Sequence, residues 1–302
     1  MSPFLFDVLP AYGALVATAF VVGILVGMKN ARKVGISFES QLDVAFWIVF
    51  GALLGARVLF IVVNLRTYLE LPPETLTIFG KAIEIPAVLA FWRGGLVFYG
   101  GVIGAVTGAV VIAVRRKLPA LALADCVAPA LAIAHAFGRL GCFFAGCCYG
   151  HPGAGGFGAA FPPGSLAYME TITAPVGGRL PDTTPHLHPT QLYDGGGELL
   201  IFGLLVFLWP RKRYHGQIAL TWVALYPVLR FVVEIFRGDM LRGFVARIPI
   251  PPVASLLALP DAQPILLSTS QLVGLLIALA AAVTLLLLRR KPADTSTPAS
   301  VG

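Results

Sequence analysis

Arginines inside apolar segments are the residues of this sequence most able to do chemistry. Arg57, Arg139 and Arg230 each lie in or at the end of a long apolar run, and Glu234 and Arg237 follow Arg230 at spacings of four and three. Those spacings place the last three on one helix face. A charge near the bilayer centre costs ~2.5–3.5 kcal/mol on insertion scales, so intramembrane ionisable residues are functional by default. The excess of arginine over glutamate predicts an anionic ligand, and a planar guanidinium suits phosphate.

A lipid headgroup is the phosphate nearest to hand for arginines at the depth of a membrane surface. The simpler alternative is structural: Arg230 and Glu234 form an internal ion pair, and the other arginines reach the surface along their flexible side chains. Both interpretations remain open at this point.

The stretch 135–152, HAFGRLGCFFAGCCYGHP, surrounds one of these arginines with small residues. Glycines let a backbone approach a ligand closely, so the stretch fits an anion site at a membrane boundary. A Gly-rich turn with a snorkelling arginine is the structural alternative. The glycines and cysteines beside the arginine are Gly138, Gly141, Cys142, Gly146, Cys147, Cys148 and Gly150.

The three cysteines in this stretch have several possible roles. Their C-x4-C-C spacing matches none of the usual zinc patterns, so the sequence predicts no metal and no cofactor. A disulfide, a catalytic nucleophile and small apolar packing all remain possible, and packing is favoured because free cysteine behaves as a small hydrophobe. A metal- or redox-sensing protein built on these cysteines is a further hypothesis.

The composition indicates an integral membrane protein. The chain is 57% hydrophobic and 12% charged, whereas soluble domains carry roughly 25% charged residues. The net charge of +7 does not indicate nucleic-acid binding, because the basic residues cluster between apolar runs. The positive-inside rule accounts for such clusters.

Seven apolar runs approach the length of ~20 residues that a bilayer requires. They lie near residues 10–28, 43–63, 95–114, 120–138, 193–209, 216–236 and 269–288. Basic clusters follow alternate runs, which predicts a periplasmic N-terminus and a cytoplasmic C-terminus. We therefore predict an all-α, polytopic fold with one membrane domain over residues 1–291. It would include a small periplasmic head within 139–192, and residues 292–302 would form a disordered cytoplasmic tail.

This topology brings polar residues from all seven spans to one depth. Spans two, four and six carry the arginines in their outer parts, and the outer ends of the other spans carry Tyr12, Tyr99, the segment 188–194 and Gln271. Glycines at a spacing of four, in spans two and three, predict close helix packing. They are Gly51, Gly55, Gly100, Gly104 and Gly108.

The sequence resembles the prolipoprotein diacylglyceryl transferase family over nearly its whole length, from Tyr12 to Gln271. The most specific blocks are GRLGCFFAGCCYG (138–150), HPTQLYD (188–194) and RFVVEIFRGD (230–239). Weaker blocks are GARVLF (55–60) and RGGLVFYGGVIG (93–104).

The resemblance implies a multi-pass enzyme of the bacterial inner membrane. Such an enzyme moves the diacylglyceryl group of phosphatidylglycerol onto the lipobox cysteine in the signal peptide of a preprolipoprotein, and glycerol 1-phosphate leaves. A non-enzymatic lipid or organic-anion transporter is the alternative, although no internal repeat of the kind common in transporters is visible.

Site residues carry over by position in these blocks. Arg139 and Arg230 would hold the lipid phosphate, and Glu234 would orient Arg230 or help activate the thiol. The residues expected to be catalytic are Arg139, Arg230, Glu234 and Tyr99. The residues expected to bind phosphatidylglycerol are Arg139, Arg230, Arg237, Arg57, Tyr12, Gly138, Gly141, Gly150, His188, Gln191 and Tyr193.

The sequence departs from the best-known form of the family in three places. Tyr99 stands where the family often has a histidine that has been taken as the base, and an unperturbed tyrosine pKa near 10 makes a poor base at neutral pH. Cys142 and Cys147 stand where the family often has asparagine and glutamate. The identity of the thiol-activating base is therefore open.

Overall fold

The computed structural model describes residues 4–5, 9–66, 74–78, 81–85, 95–173, 179–238, 244–248 and 266–289. The predicted tail, 292–302, and the last residue of the third signature block, Asp239, lie outside these ranges.

Within the described residues the fold is helical, with eight α-helices. They are α1 (Ala11–Arg32), α2 (Phe38–Val63), α3 (Phe98–Arg115), α4 (Ala120–Ala145), α5 (Leu166–Thr171), α6 (Thr190–Leu208), α7 (Gln217–Phe236) and α8 (Thr269–Arg289). All except the short α5 are long and apolar enough to cross a membrane. The predicted multi-pass helical fold with seven spans is thus confirmed.

Short antiparallel ribbons and 3-10 turns complete the described structure. Strand β1 (Phe4–Leu5) pairs with β2 (Leu9–Pro10), β3 (Glu74–Ile78) with β4 (Lys81–Ile85), and β5 (Phe244–Ile248) with β6 (Leu266–Ser268). The 3-10 turns cover Ala154–Gly156 and Trp209–Arg211.

Helix α4 is longer than the sequence predicts. The predicted span stops at residue 138, whereas the helix continues to Ala145. The apolar residues after Arg139 keep it helical until Gly146, whose φ of 69° is left-handed. Hydrogen bonds from Gly146 N to Phe143 O (3.2 Å) and from Cys147 N to Cys142 O (3.1 Å) form a Schellman cap. The expectation that Arg139 ends its span was wrong, because Arg139 lies inside the helix.

The chain forms two compact units. The larger contains residues 1–29 and 124–302, and the smaller contains residues 30–123. The larger unit therefore holds α5 to α8 and most of α1 and α4, whereas the smaller holds α2, α3 and the ribbon of β3 and β4.

In the smaller unit, α2 and α3 pack through glycines as predicted. A Cβ added at Gly55 would lie 2.9 Å from Cα of Gly104, and one added at Gly51 would overlap the carbonyl oxygen of Gly104. Gly100 and Gly108 meet the backbone of α2 in the same way. No real Cβ approaches so closely, so this packing requires glycine.

In the larger unit, one end of the helices is joined by a buried carboxylate. Both oxygens of Asp125, at the start of α4, are used: Oδ1 accepts from the N–H groups of Ile218 (2.9 Å) and Ala219 (3.0 Å). Oδ2 accepts from Gly216 N (2.9 Å) and Lys212 Nζ (3.0 Å). Asp125 thus caps the N-terminus of α7 from a neighbouring helix and pairs with a lysine.

At the other end of the unit, the segment between α4 and α6 has a small apolar core of its own. Tyr149, Phe161, Ala167 and Leu187 are buried together there. Backbone bonds between Ala159 and Leu187 (2.8 and 3.0 Å) close this head over the ends of α4 and α6.

Candidate active site

Arg139 is held by Asp194 on α6 and by His135, one turn earlier on α4. Its Nε lies 2.8 Å from Oδ2 of Asp194 and donates a hydrogen bond to Nε2 of His135 (3.1 Å). Nδ1 of His135 in turn lies 2.8 Å from Oε1 of Glu198. Since Nε2 accepts from the arginine, the ring proton sits on Nδ1 and is donated to Glu198.

Helical spacing explains why these four residues meet. His135 and Arg139 are one turn apart on α4, and Asp194 and Glu198 are one turn apart on α6, so two facing rows match. Gly195 lets the helices approach, because a Cβ there would lie 3.3 Å from Cβ of Arg139. Asp194 and Glu198 are fully buried. The guanidinium of Arg139 is therefore held in position by contacts on the buried side of the site.

Helix α7 adds an aromatic wall to this network. Nε1 of Trp222 donates to Oε2 of Glu198 (3.3 Å). The Trp222 ring stacks on Tyr226 at a centroid distance of 5.3 Å, and Tyr226 meets the edge of His135 at 5.2 Å. Tyr226 is one turn before Arg230, so the wall leads directly to the second arginine.

Arg230 and Glu234 form an ion pair along α7, with Nη2 and Oε2 at 2.5 Å. The charges of Arg139 and Arg237 also act on Arg230, so three cations share this end of the unit. Nη1 of Arg230 is buried and has no hydrogen-bond partner among the described residues. The internal Arg230–Glu234 ion pair, which was the structural alternative to an anion site, is therefore present. It leaves one donor nitrogen of Arg230 without a hydrogen-bond partner among the described residues.

Backbone hydrogen bonds join the three signature blocks at this end. Helix α7 ends at Phe236, whose carbonyl accepts from His151 N at 2.9 Å. Gly150 forms a bridge with Arg237 and donates to the carbonyl of His188 at 2.9 Å. A Cβ at Gly150 would lie 2.5 Å from the carbonyl oxygen of Phe236, so close packing alone requires this glycine.

The start of α6 fixes the turn that follows α4. Oγ1 of Thr190 donates to the carbonyl of Cys148 (2.5 Å), and Nε2 of Gln191 donates to the carbonyl of Cys147 (2.6 Å). His188 lies nearby with its Nδ1 3.0 Å from the hydroxyl of Tyr193. Burial lowers the pKa of His188, so this imidazole is neutral at neutral pH.

This turn brings three thiols together. The Schellman bond folds Cys147 back over Cys142, and the left-handed φ of 57° at Cys148 turns the chain again. The three sulfur atoms all lie within 4.8 Å of one another. Hydrogen bonds from Cys142 and Cys147 lower the pKa of Cys148, with help from the charges of Arg237 and Arg139. The same hydrogen bonding raises the pKa of Cys147.

Tyr12, near the start of α1, borders the thiols. A Cβ added at Gly141 would lie 3.4 Å from Cδ2 of Tyr12, so the tyrosine ring lies over this glycine. A Cβ added at Gly138 would meet no atom within 4 Å among the described residues. Electrostatic effects of the three thiols and of Arg139 reach the Tyr12 hydroxyl.

The predicted site residues thus fall into two groups. The larger unit contains Tyr12, Gly138, Arg139, Gly141, Gly150, His188, Gln191, Tyr193, Arg230, Glu234 and Arg237. Arg57 and Tyr99 belong to the smaller unit, where Arg57 donates to the carbonyl of Gly95 (3.3 Å) and Tyr99 is 55% exposed. The roles of both groups in the reaction remain predictions.

Sequence reasoning missed the residues behind Arg139. His135, Asp194 and Glu198 were not among the predicted site residues, nor were Trp222 and Tyr226. The available signal was the spacing: a histidine and an arginine four apart on one span, and two carboxylates four apart on another.

Comparison with known proteins gives a consistent result. A family model described as prolipoprotein diacylglyceryl transferase matches residues 4–287. The phosphatidylglycerol–prolipoprotein diacylglyceryl transferase of Clostridium tetani is 28% identical over 260 residues, covering 85% of this chain and 93% of that protein. The protein of the same name from Finegoldia magna is 32% identical over 231 residues, covering 76% and 79%. With the family model matched over nearly the whole length and the signature blocks joined at one site, the chain belongs to the prolipoprotein diacylglyceryl transferase family.

Proposed function

We propose that this chain is a membrane enzyme that transfers the diacylglyceryl group of phosphatidylglycerol to the lipobox cysteine of preprolipoproteins. Its relatives carry the name of that reaction. The observation that carries the proposal is that Arg139, Arg230 and Arg237 lie close enough for their charges to act on one another, while the buried Nη1 of Arg230 has no hydrogen-bond partner among the described residues. A phosphate headgroup would accept a hydrogen bond from that nitrogen and offset the repulsion between the arginines.

The reaction needs a strong nucleophile and a stabilised leaving group. The thiolate sulfur attacks the glycerol carbon that bears the phosphate, the C–O bond breaks, and its electron pair leaves on the oxygen of glycerol 1-phosphate. Charge therefore grows on the phosphate in the transition state, where cations positioned in advance lower the barrier most. Arg139 and Arg230 fill this role in the proposal.

The network around each arginine supports such preorganisation. Asp194 and His135 hold Nε of Arg139, which leaves its terminal nitrogens directed away from that contact. Glu234 holds Nη2 of Arg230. An arginine fixed at one edge loses less side-chain entropy when its other nitrogens bind phosphate.

The finer placement in the cell is part of the same proposal. The basic clusters favour an inner membrane protein with a periplasmic N-terminus, a cytoplasmic C-terminus and one membrane domain over residues 1–291. The head would then lie on the periplasmic side, and 292–302 would form a cytoplasmic tail. Signal peptides and phosphatidylglycerol would reach the site from the outer leaflet.

A transfer assay tests the function directly. Purified protein in nanodiscs would be combined with phosphatidylglycerol and a lipobox peptide, following glycerol phosphate release and peptide mass. We expect release coupled to a diacylglyceryl mass gain, and neither with a peptide in which serine replaces the lipobox cysteine. Folded protein that gives no product under these conditions would contradict the proposal and return attention to lipid transport.

A further inference from the structure

Cys142, Cys147 and Cys148 form a thiol cluster whose spacing is close to that of a metal site. Its sulfurs lie within 4.8 Å of one another. A zinc ion at its usual ~2.3 Å from each sulfur needs sulfurs about 3.8–4.0 Å apart. Closing the cluster on an ion therefore takes movements of about 1 Å or less, of the kind that side-chain rotation supplies.

The fold holds this arrangement without help from an ion. The Schellman cap fixes Cys147 against Cys142, and two buried side chains of α6, Thr190 and Gln191, bind the carbonyls of Cys148 and Cys147. A site whose backbone is already fixed binds a metal without first ordering a loop. All three cysteines are partly exposed, so an ion can reach them.

We propose that Cys142, Cys147 and Cys148 bind one thiophilic divalent ion of the zinc class, and that the fourth position of this ion binds the thiol of the substrate. Thiolates select soft and borderline metals. No other metal-ligating side chain of the described residues joins the cluster, and a tetrahedral ion with three protein ligands keeps one position open. This inference rests on the proposed function.

The site would supply the thiol activation that the reaction requires. A free thiol has a pKa of about 8.5, whereas a thiol coordinated to a metal is deprotonated. The substrate R–SH would lose its proton to water on coordination. Its sulfur would then attack the glycerol carbon, glycerol 1-phosphate would leave with the C–O electron pair, and the thioether, a weaker ligand, would dissociate.

The position of the cluster suits this role. Cys142 follows Arg139 by three residues on α4 and so lies on the same face. The charges of Arg139 and Arg237 reach Cys148. The nucleophile would thus be generated beside the arginines that hold the leaving phosphate, and those arginines would offset the negative charge of three thiolates on a divalent ion.

Metal binding is tested on the reduced, full-length protein, independently of transfer. Protein stripped with chelator would be titrated with Zn²⁺ and, for its visible spectrum, with Co²⁺. We expect about one ion per chain with sulfur-to-cobalt charge-transfer bands. These bands should change when a lipobox peptide is added and remain unchanged with the serine peptide. No binding by reduced protein, or a cobalt spectrum indifferent to the cysteine peptide, would overturn the proposal.

Cysteine variants supply the matched controls. Cys142→Ser, Cys147→Ser and Cys148→Ser should each weaken metal binding at least tenfold, whereas Cys126→Ser should not, because Cys126 lies near the opposite end of α4. Size-exclusion profiles would verify folding. Unchanged binding in a folded triple variant would overturn the site. If metal and thiol bind but phosphatidylglycerol gives no product with reloaded enzyme, the proposed function fails and the thiol-binding site stands. If product forms equally well with stripped enzyme, the activating role fails alone.

Discussion

Two charged clusters lie on the same helix, α4, and differ in how completely they are satisfied. Asp125 and Arg139 are fourteen residues apart, about 21 Å at 1.5 Å per residue. Both oxygens of Asp125 accept two hydrogen bonds each, and one lysine balances its charge. At the other end, the carboxylate of Asp194 forms an ion pair with Arg139 but accepts no hydrogen bond of good geometry from the described residues. Nη1 of Arg230 is buried and also has no hydrogen-bond partner among them.

The difference separates a structural cluster from a binding site. Buried polar groups in folded proteins are almost always paired, because an unpaired group costs ~1–3 kcal/mol. A cluster that serves only the fold therefore ends up like Asp125. A cluster in which several cations lie close together and one buried donor is unused is stabilised when an anion binds, which is what a phosphate-binding site requires.

The largest expected effect comes from removing an arginine of the unsatisfied cluster. Arg230→Ala should lower the transfer rate by about 10³-fold. A preorganised donor that binds the developing negative charge lowers the barrier by up to ~4 kcal/mol, and the variant loses this stabilisation. Arg139→Ala should have a similar effect. The rate would be measured by peptide mass gain in nanodiscs.

Arg230→Lys is the matched control for that loss. It keeps the charge but not the planar fork, so its rate should fall between those of the wild type and Arg230→Ala. Arg230→Ala and Arg139→Ala should also lower the thermal unfolding midpoint, because each leaves a buried carboxylate without its partner, so rates are compared per folded molecule. Arg230→Lys keeps the charge and should lose less stability. A rate within tenfold of wild type in folded Arg230→Ala would show that the unsatisfied cluster is not the catalytic site.

A change in the satisfied cluster around Asp125 should lower stability and leave the transfer activity nearly unchanged. Asp125→Asn removes the charge that Lys212 and the N-terminus of α7 require, and breaking a buried pair costs ~3–5 kcal/mol. We expect a lower unfolding midpoint in detergent and transfer activity per folded molecule within about twofold of wild type.

A second change identifies the cause of that instability. Lys212→Met in the Asp125→Asn background removes the charge left unpaired and should restore part of the midpoint, since a buried pair can often be replaced by apolar groups. If Asp125→Asn instead reduced activity without altering the midpoint, the two ends of α4 would not have separate roles.

A smaller effect is expected from the residue that positions Arg139. His135→Phe removes the acceptor of the Arg139 Nε–H and the donor to Glu198. We expect roughly tenfold lower kcat/KM for phosphatidylglycerol, because a displaced arginine binds both the ground state and the transition state less well.

Rescue distinguishes positioning from packing. In His135→Gln, the amide oxygen can accept from Arg139 while the amide nitrogen donates to Glu198, so activity should partly return. An equal loss in His135→Gln and His135→Phe, with unchanged unfolding midpoints, would contradict the positioning role.

The sequence predicted the spans, the glycine packing and the main arginines, but not the contacts that hold those arginines. The seven apolar runs and the glycines of α2 and α3 have local signatures, because length, hydropathy and small-residue spacing act within one helix or one helix pair. Arg139 and Arg230 stood out as charges in apolar segments. The network of His135 and Glu198 did not, because it depends on the relative rotation of α4 and α6.

The thiol cluster was hidden for a different reason. The spacing C-x4-C-C matches no usual ligand pattern, and packing was the favoured interpretation. The sulfurs meet because Gly146 adopts a left-handed conformation and folds Cys147 back over Cys142. Because the helix was predicted to end at residue 138, the cap at residues 142–147 could not be predicted. This one error in a helix boundary is the reason that the cluster was missed.

The smallest effect should come from an ion pair that is paired but exposed. Asp43 contacts Arg116 in the smaller unit, with side chains 33% and 42% exposed. Water already solvates both partners, so the pair contributes at most ~1 kcal/mol. Asp43→Asn should therefore shift the unfolding midpoint far less than Asp125→Asn in the same detergent, although both changes remove one carboxylate from one basic partner. Equal shifts would mean that the loss of an ion pair alone determines the loss of stability. A large difference would show that burial determines it, and burial is the property that Asp125 shares with the carboxylates of the arginine cluster.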